Sequence, residues 1–191
     1  MAEPATTQRL AAEPALPAGD TPIAPGTVLR VRGPRALVRL QIPRRMIPDA
    51  GAMRVGSTIL PSTPGRCTIG DPAALWLAPD GWLLVSESRD GASLVTEIRR
   101  DCGEPSVAAI DVSDSLVVLE LDGPRTRELL ARGTSVELAD ETLVHGRCTR
   151  LRFAQLPVIL RPRDAGRVEL IVDRGPAAWL RDWFIHTGSL L

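Results

Sequence analysis

The sequence predicts an α+β fold in which helices pack on antiparallel sheets. Three observations lead there. Short apolar runs recur in neighbouring pairs, separated by Gly, Pro and Asp, which is how adjacent antiparallel strands read. Longer stretches carry apolar residues at helical spacing. Two of those helical stretches follow a strand through a Gly-Pro step. Residues 117–133 run strand, Asp122, Gly123-Pro124, helix, glycine; residues 168–188 run strand, Asp173, Gly175-Pro176, helix, glycine. Repeated strand–Gly-Pro–helix units in one short chain fit split units with helices on antiparallel sheet.

Residues 1–26 are rich in Ala, Pro, Glu and Thr. Pro4, Pro14, Pro17 and Pro22 prevent a continuous helix. Glu3 and Glu13 stand where a secretory signal would carry basic residues. This reads as an extended or disordered N-terminal arm, either a plain tail or a segment that orders along a partner. Residues 27–191 then form a single α+β domain, which two pseudo-related halves, about 27–105 and 106–191, could also describe.

Within that domain, residues 27–43 alternate apolar and polar around Gly33-Pro34, which reads as two strands and a turn. Residues 44–66, with Pro48, Gly51, Gly56, Pro61, Pro64 and Gly65, are loop with room for one short helix. Residues 73–77 and 82–86 flank Pro79-Asp80-Gly81, a hairpin signature. Residues 90–101 place Leu94, Val95 and Ile98 at helical spacing, and Arg99-Arg100 falls where the helix dipole favours cations. Residues 107–112 and 116–121 are two more strands. Pro124 then opens a helix that Gly133 closes. Strands over 148–153, 157–161 and 167–172 lead to a last helix, 176–186, closed by Gly188.

Composition excludes several classes. The 191 residues carry 23 Arg, no Lys, and 23 Asp plus Glu, for zero net charge. A general nucleic-acid binder needs an excess of basic charge. The absence of Lys, Asn and Tyr fits a GC-rich genome. Two histidines and three cysteines without CxxC spacing leave little material for a metal site. The same cysteines suit a reducing cytoplasm better than a disulfide framework. No apolar run reaches the ~18 residues a membrane-spanning helix needs.

Catalytic machinery is hard to find. GxGxxG, GxxxxGK[ST] and GxSxG are all absent. His145 falls in a loop, and His186 in a last helical turn where the dipole accounts for it. Asp111, Ser113 and Asp114 are either a turn or a substrate-binding carboxylate cluster. Cys67 and Cys148 each follow Gly-Arg, so a flanking arginine could lower a thiol pKa; the plainer reading is a buried small hydrophobe. No catalytic, cofactor-binding or metal residue is assigned. Two features suit partner contact. Arg147, Arg150 and Arg152, with Arg161 and Arg163 nearby, form a basic stripe that is either a solvated face or a docking surface. Trp179 and Trp183 widen the apolar arc of the last helix beyond one face, so it is either a central core helix or a helix that meets another subunit.

The run 75–84 (LWLAPDGWLL), Ala109-Ile110-Asp111-Val112-Ser113, the run 119–130 (LELDGPRTRELL), the run 146–155 (GRCTRLRFAQ), Glu169-Leu170 and Trp179-Leu180-Arg181-Asp182-Trp183 together resemble the gamma subunit of heterotetrameric sarcosine oxidase. The likeness runs from about residue 73 to 187. It implies a fold like the folate-binding domain of the glycine cleavage T-protein. In those relatives the DVS run continues His-Met-Gly and a later Asn-Asp pair works on folate. Here Asp111-Val112-Ser113 is followed by Asp114-Ser115, and the chain has no asparagine. The resemblance therefore implies an accessory subunit, not the seat of chemistry. The implied complex oxidatively demethylates sarcosine to glycine, or in relatives N-methylglutamate. Alpha, beta and delta subunits are its implied partners. FAD, FMN, NAD and zinc lie on those subunits, with tetrahydrofolate as one-carbon acceptor. The rival class is a stand-alone folate-binding protein, aminomethyltransferase-like or an iron–sulfur maintenance factor; the latter family's Lys-Gly-Cys-Tyr-type motif cannot occur in a chain without Lys or Tyr.

Overall fold

A computed structural model describes residues 13–33, 35–47, 53–103 and 106–191. In chain order the strands and helices are β1 (Gly19–Ala24), β2 (Thr27–Val31), β3 (Ala36–Gln41), β4 (Arg54–Val55), β5 (Thr58–Ile59), β6 (Ala73–Ala78), β7 (Gly81–Ser86), α1 (Gly91–Cys102), β8 (Ala108–Asp111), β9 (Leu116–Asp122), α2 (Thr126–Gly133), β10 (Thr149–Phe153), β11 (Leu156–Pro162), β12 (Val168–Asp173) and α3 (Ala177–Gly188). A six-stranded sheet runs β1-β2-β9-β12-β11-β10 and a four-stranded sheet β6-β7-β3-β8, with β4–β5 as a separate ribbon. The strand pairs are antiparallel, as the sequence predicts.

The side chains define four layers. Leu119, Leu121, Leu160, Leu170 and Val172 leave one face of the large sheet and pack on Leu129, Leu130, Leu180 and Phe184 of α2 and α3. On the other face, Val118, Ile159 and Ile171 meet Leu37, Leu75, Leu83 and Val85 of the small sheet. The far side of the small sheet, through Val38, Leu40, Ala74 and Leu84, receives Leu94 and Ile98 of α1. The order is helices, sheet, sheet, helix. Strand alternation supplies it, because each strand sends successive side chains to opposite faces.

Local signals place α1 well. Asp90 caps it by accepting from Ser93 N at 2.9 Å, and Gly103 ends it in the left-handed conformation, the usual arrangement at each end. The Pro79–Gly81 turn forms as predicted between β6 and β7. Gly123 and Pro124 lie in a turn, so α2 begins at Thr126 and not at the proline. That turn needs glycine: at φ +136°, a Cβ on Gly123 would stand 2.3 Å from Gly26 O.

Several expectations change. Residues 27–43 give the two expected strands, and the two do not pair with each other: β2 joins the large sheet and β3 the small one. The step from β8 to β9 crosses between sheets in the same way. Alternation reveals a strand, not its neighbour, and short connections serve both cases. The halves 27–105 and 106–191 do not separate, because each sheet takes strands from both. The boundary at residue 27 moves as well. Within the expected arm, β1 pairs with β2, and Leu16 and Ile23 are buried in the core against α2 and α3. The rest of the arm, 1–12, lies outside the described residues. Among the described residues of 44–66, where the sequence leaves room for one short helix, stand a 3-10 turn, Arg44–Met46, and the β4–β5 ribbon.

Candidate functional site

A row of charge crosses the inner face of the large sheet. Arg30 of β2 stands opposite Glu120 of β9, Glu120 opposite Glu169 of β12, and Glu169 opposite Arg161 of β11. Glu120, Glu169 and Arg161 are almost fully buried. Two carboxylates side by side in a dry layer would repel; each is flanked by guanidinium groups instead. Glu120 pairs with Arg30 at 3.4 Å and with Arg32. Glu169 takes Arg35 at 2.6 Å, Arg163 at 3.1 Å and Arg161 at 3.3 Å. Arg35 and Arg163 also reach Glu87, both at 3.3 Å, beyond the end of β7. The network thus ties the small sheet to the large one at the end of the apolar layer.

Burial alone would raise the Glu169 pKa. Arg161, Arg35 and Arg163 outweigh it and hold the carboxyl below its usual range. Burial pulls Arg161 down from the usual guanidinium value despite Glu169. A carboxylate engaged on both oxygens and kept ionised has no spare proton to exchange near neutral pH. The row is a brace between layers. It borders a 370 Å³ cavity whose wall includes Asp71, His145, Arg161, Arg163 and Asp164.

The other sequence candidates are placed as follows. Asp111, Ser113 and Asp114 form a turn: Asp111 accepts from Ser113 N at 3.0 Å and from Ser113 Oγ at 2.5 Å, and Ser113 Oγ accepts from Leu37 N at 2.9 Å. Both bonds fall on Asp111 Oδ1, the side-chain-to-backbone pattern of a turn. Cys67 and Cys148 are both buried. A hydrogen bond from Cys148 lowers the Cys67 thiol to about 7 against the effect of burial, with Arg161 and Arg163 assisting. The flanking arginines are not the cause. Among the described residues, no group of three or more His, Cys, Asp or Glu is arranged to hold a metal ion, and no helix is long and apolar enough to cross a membrane.

The basic stripe divides. Arg150 and Arg152 are exposed on β10 and share a face, two residues apart. Arg147 precedes the strand and is bridged to Arg66; three residues from Arg150, it cannot share that face in a period of two. Arg161 belongs to the buried row. The tryptophans divide too. Trp183 is half-buried and meets the rings of Phe153 and Phe184 edge-on, centroids 5.2 Å apart in each case. Trp179, one turn earlier, is 51% exposed. Trp183 serves the core, because its side of α3 lies over Phe153 of the sheet; Trp179 is left facing outward.

The charge row escaped the sequence reading. Its signal was there: Glu120 and Glu169 interrupt the apolar runs LVVLELD and VELIVD, and Arg161 sits within VILRP. A charge inside a strand buried on both faces implies an opposite charge beside it.

The model of the sarcosine oxidase, gamma subunit family matches residues 52–189. The chain belongs to the sarcosine oxidase gamma subunit family. The match begins earlier than residue 73, where the motifs become legible, and takes in the β4–β5 ribbon. The sarcosine oxidase subunit gamma of Corynebacterium sp. strain U-96 is 28% identical over 113 residues, covering 58% of this chain and 53% of that protein. The subunit gamma of strain P-1 is 29% identical over 127 residues, covering 63% and 61%. The chain thus spans little more than half the length of the curated relatives it matches. The same fold occurs in the heterotetrameric sarcosine oxidase of Corynebacterium sp. U-96 in complex with pyrrole 2-carboxylate, with a TM-score of 0.73, 20% identity, and 85% and 84% of the two chains covered. The glycine cleavage system aminomethyltransferase T of Bartonella henselae aligns with a TM-score of 0.54 at 15% identity, over 79% of this chain and 43% of that one. Both likenesses bear out the T-protein-like α+β fold.

Proposed function

We propose that this chain is the gamma subunit of a heterotetrameric sarcosine oxidase-type complex that oxidatively demethylates sarcosine to glycine. Its role there is structural. The observation that carries the reading is the family match over 52–189. The Glu169 carboxylate, ionised and engaged on both oxygens by arginines, and the turn at Asp111 support a subunit without its own catalytic centre. The alpha, beta and delta subunits would be its partners, carrying FAD, FMN, NAD and zinc, with tetrahydrofolate accepting the methyl carbon. The proposed contact points are exposed Trp179 on the helix side of the large sheet and, on the other face of edge strand β10, Arg150 and Arg152, with Arg147 just ahead of that strand; tryptophan and arginine are the residues that dominate interface energetics. The setting proposed for the complex is the cytoplasm.

Affinity purification of the tagged chain from its native cells tests this. The expected result is three co-eluting chains, a flavin absorbance spectrum and sarcosine-dependent oxygen uptake. Uptake with N-methylglutamate alone would transfer the subunit to a related N-methyl amine dehydrogenase. A stable, colourless monomer that elutes without partners, or tight tetrahydrofolate binding by the free chain in calorimetry, would overturn the reading in favour of the stand-alone folate protein.

A further inference from the structure

Residues 65–67 and 146–148 spell the same tripeptide, Gly-Arg-Cys, and the fold lays the two copies antiparallel. Arg66 is bridged to Arg147. Cys67 N donates to Gly146 O and Cys148 N to Gly65 O, each at 3.0 Å. Side chains alternate across such a pair, so both arginines leave on one side and both thiols on the other. The thiols enter the layer between the sheets, where both cysteines are buried. Each leans over the other's backbone: Cys67 Sγ is 3.3 Å from Arg147 O, and Cys148 Sγ is 3.3 Å from Arg66 O. Each sulfur thus leans toward the other's chain, and the two thiols interact directly. The 370 Å³ cavity opens close by, its wall including Ile69 and Gly70 just after Cys67 and His145 just before Cys148. Arg161 and Arg163 of the same wall act electrostatically on the Cys67 thiol, which places the pair behind that wall. The third thiol, Cys102, lies on α1 in a different layer.

We propose that Cys67 and Cys148 form a two-thiol oxidation site that closes reversibly to a disulfide in the presence of a hydroperoxide. The Cys67 sulfur attacks a peroxide oxygen; the S–O bond forms, the O–O bond breaks, and the leaving hydroxide takes a proton to become water. The Cys148 sulfur then attacks the Cys67 sulfur; the S–S bond forms, the S–O bond breaks, and a second water leaves. Two thiols and one hydrogen peroxide give one disulfide and two waters. A dithiol reductant reverses the change. The cross-link fastens the segment before β6 to the segment before β10, across the two sheets. The inference is independent of the catalytic role of the complex.

The test uses the full chain in whatever assembly it purifies with. It is treated with hydrogen peroxide, quenched, denatured and alkylated before mass spectrometry. The expected product has two of its three thiols protected, so its intact mass carries one alkyl group where the reduced chain carries three, and one linked peptide joins Cys67 to Cys148; dithiothreitol restores all three thiols. In Cys148→Ala, Cys67 should stop at the sulfenic acid and be trapped by a 1,3-dione. If that variant fails to fold, the linked peptide of the native chain and of Cys102→Ala decides. Three alkylatable thiols after peroxide, a link through Cys102, or direct over-oxidation of Cys67 in the native chain would each overturn the proposal.

Discussion

Glu169→Gln is the sharpest perturbation of the interior. The carboxylate is fully buried and shared by Arg35, Arg161 and Arg163. Glutamine keeps the shape and one acceptor oxygen but removes the charge. Arg161 then stays buried with no anion beside it, while Arg35 and Arg163 retain only Glu87, whose side chain is half exposed. Removing one partner of a buried ion pair costs about 3–5 kcal/mol. The retained acceptor puts the expected loss at the lower end, about 3 kcal/mol. Domains are stable by only about 5–15 kcal/mol, so this is a large share. With a urea m-value of about 2–3 kcal/mol/M, the unfolding midpoint should fall by about 1 M. Tryptophan fluorescence reports it, since Trp82 is buried with Nε1 donating to Pro61 O at 2.8 Å. A paired Glu169→Leu, Arg161→Leu replacement should recover more than half of the loss, because it removes both buried charges of that pair. A loss below about 1 kcal/mol, the range of exposed pairs, would refute the brace.

The same carboxylate sets an acid limit. Its folded pKa is depressed, so its stabilising contribution is complete above the unfolded value near ~4.3 and is lost as pH falls through the folded value. The stability gap between the native chain and Glu169→Gln should therefore shrink as pH drops below about 4; an unchanged gap in acid urea titrations would contradict the assignment. The two tryptophans should separate cleanly. Trp183→Ala removes contacts with Phe153 and Phe184 and should cost about 2–3 kcal/mol in unfolding. Trp179→Ala should change chain stability by less than about 0.5 kcal/mol and weaken subunit co-purification at least tenfold. Arg150→Glu with Arg152→Glu should weaken assembly further at low salt than at high salt, as sedimentation would show.

Much of the fold was legible because each element carries its own local rule. The Pro79-Asp80-Gly81 turn, the Asp90 cap and the apolar period of α1 are decided by neighbours in sequence. Pairing was not legible, and Gly33-Pro34 shows why. Two strands three or four residues apart either fold back on each other or step between sheets, and only the distant partners decide which; β2 finds β9 and β3 finds β7 and β8. Burial of charge follows the same logic. Arg161 reads on its own strand as one more member of a basic stripe, because its anion lies on β12. Glu169 stands out within the apolar run VELIVD, but its own strand does not show its partner Arg35, which comes from the connection before β3. The row exists only when four strands of the large sheet and the end of the small one meet. That makes it a reporter of complete assembly of the layers: a chain with either sheet unpaired would expose Glu169 and its arginines to water, where their mutual attraction is worth little. The interior charges therefore favour the finished four-layer packing over partly formed alternatives, and the price of that specificity is the sensitivity of the fold to losing any one of them.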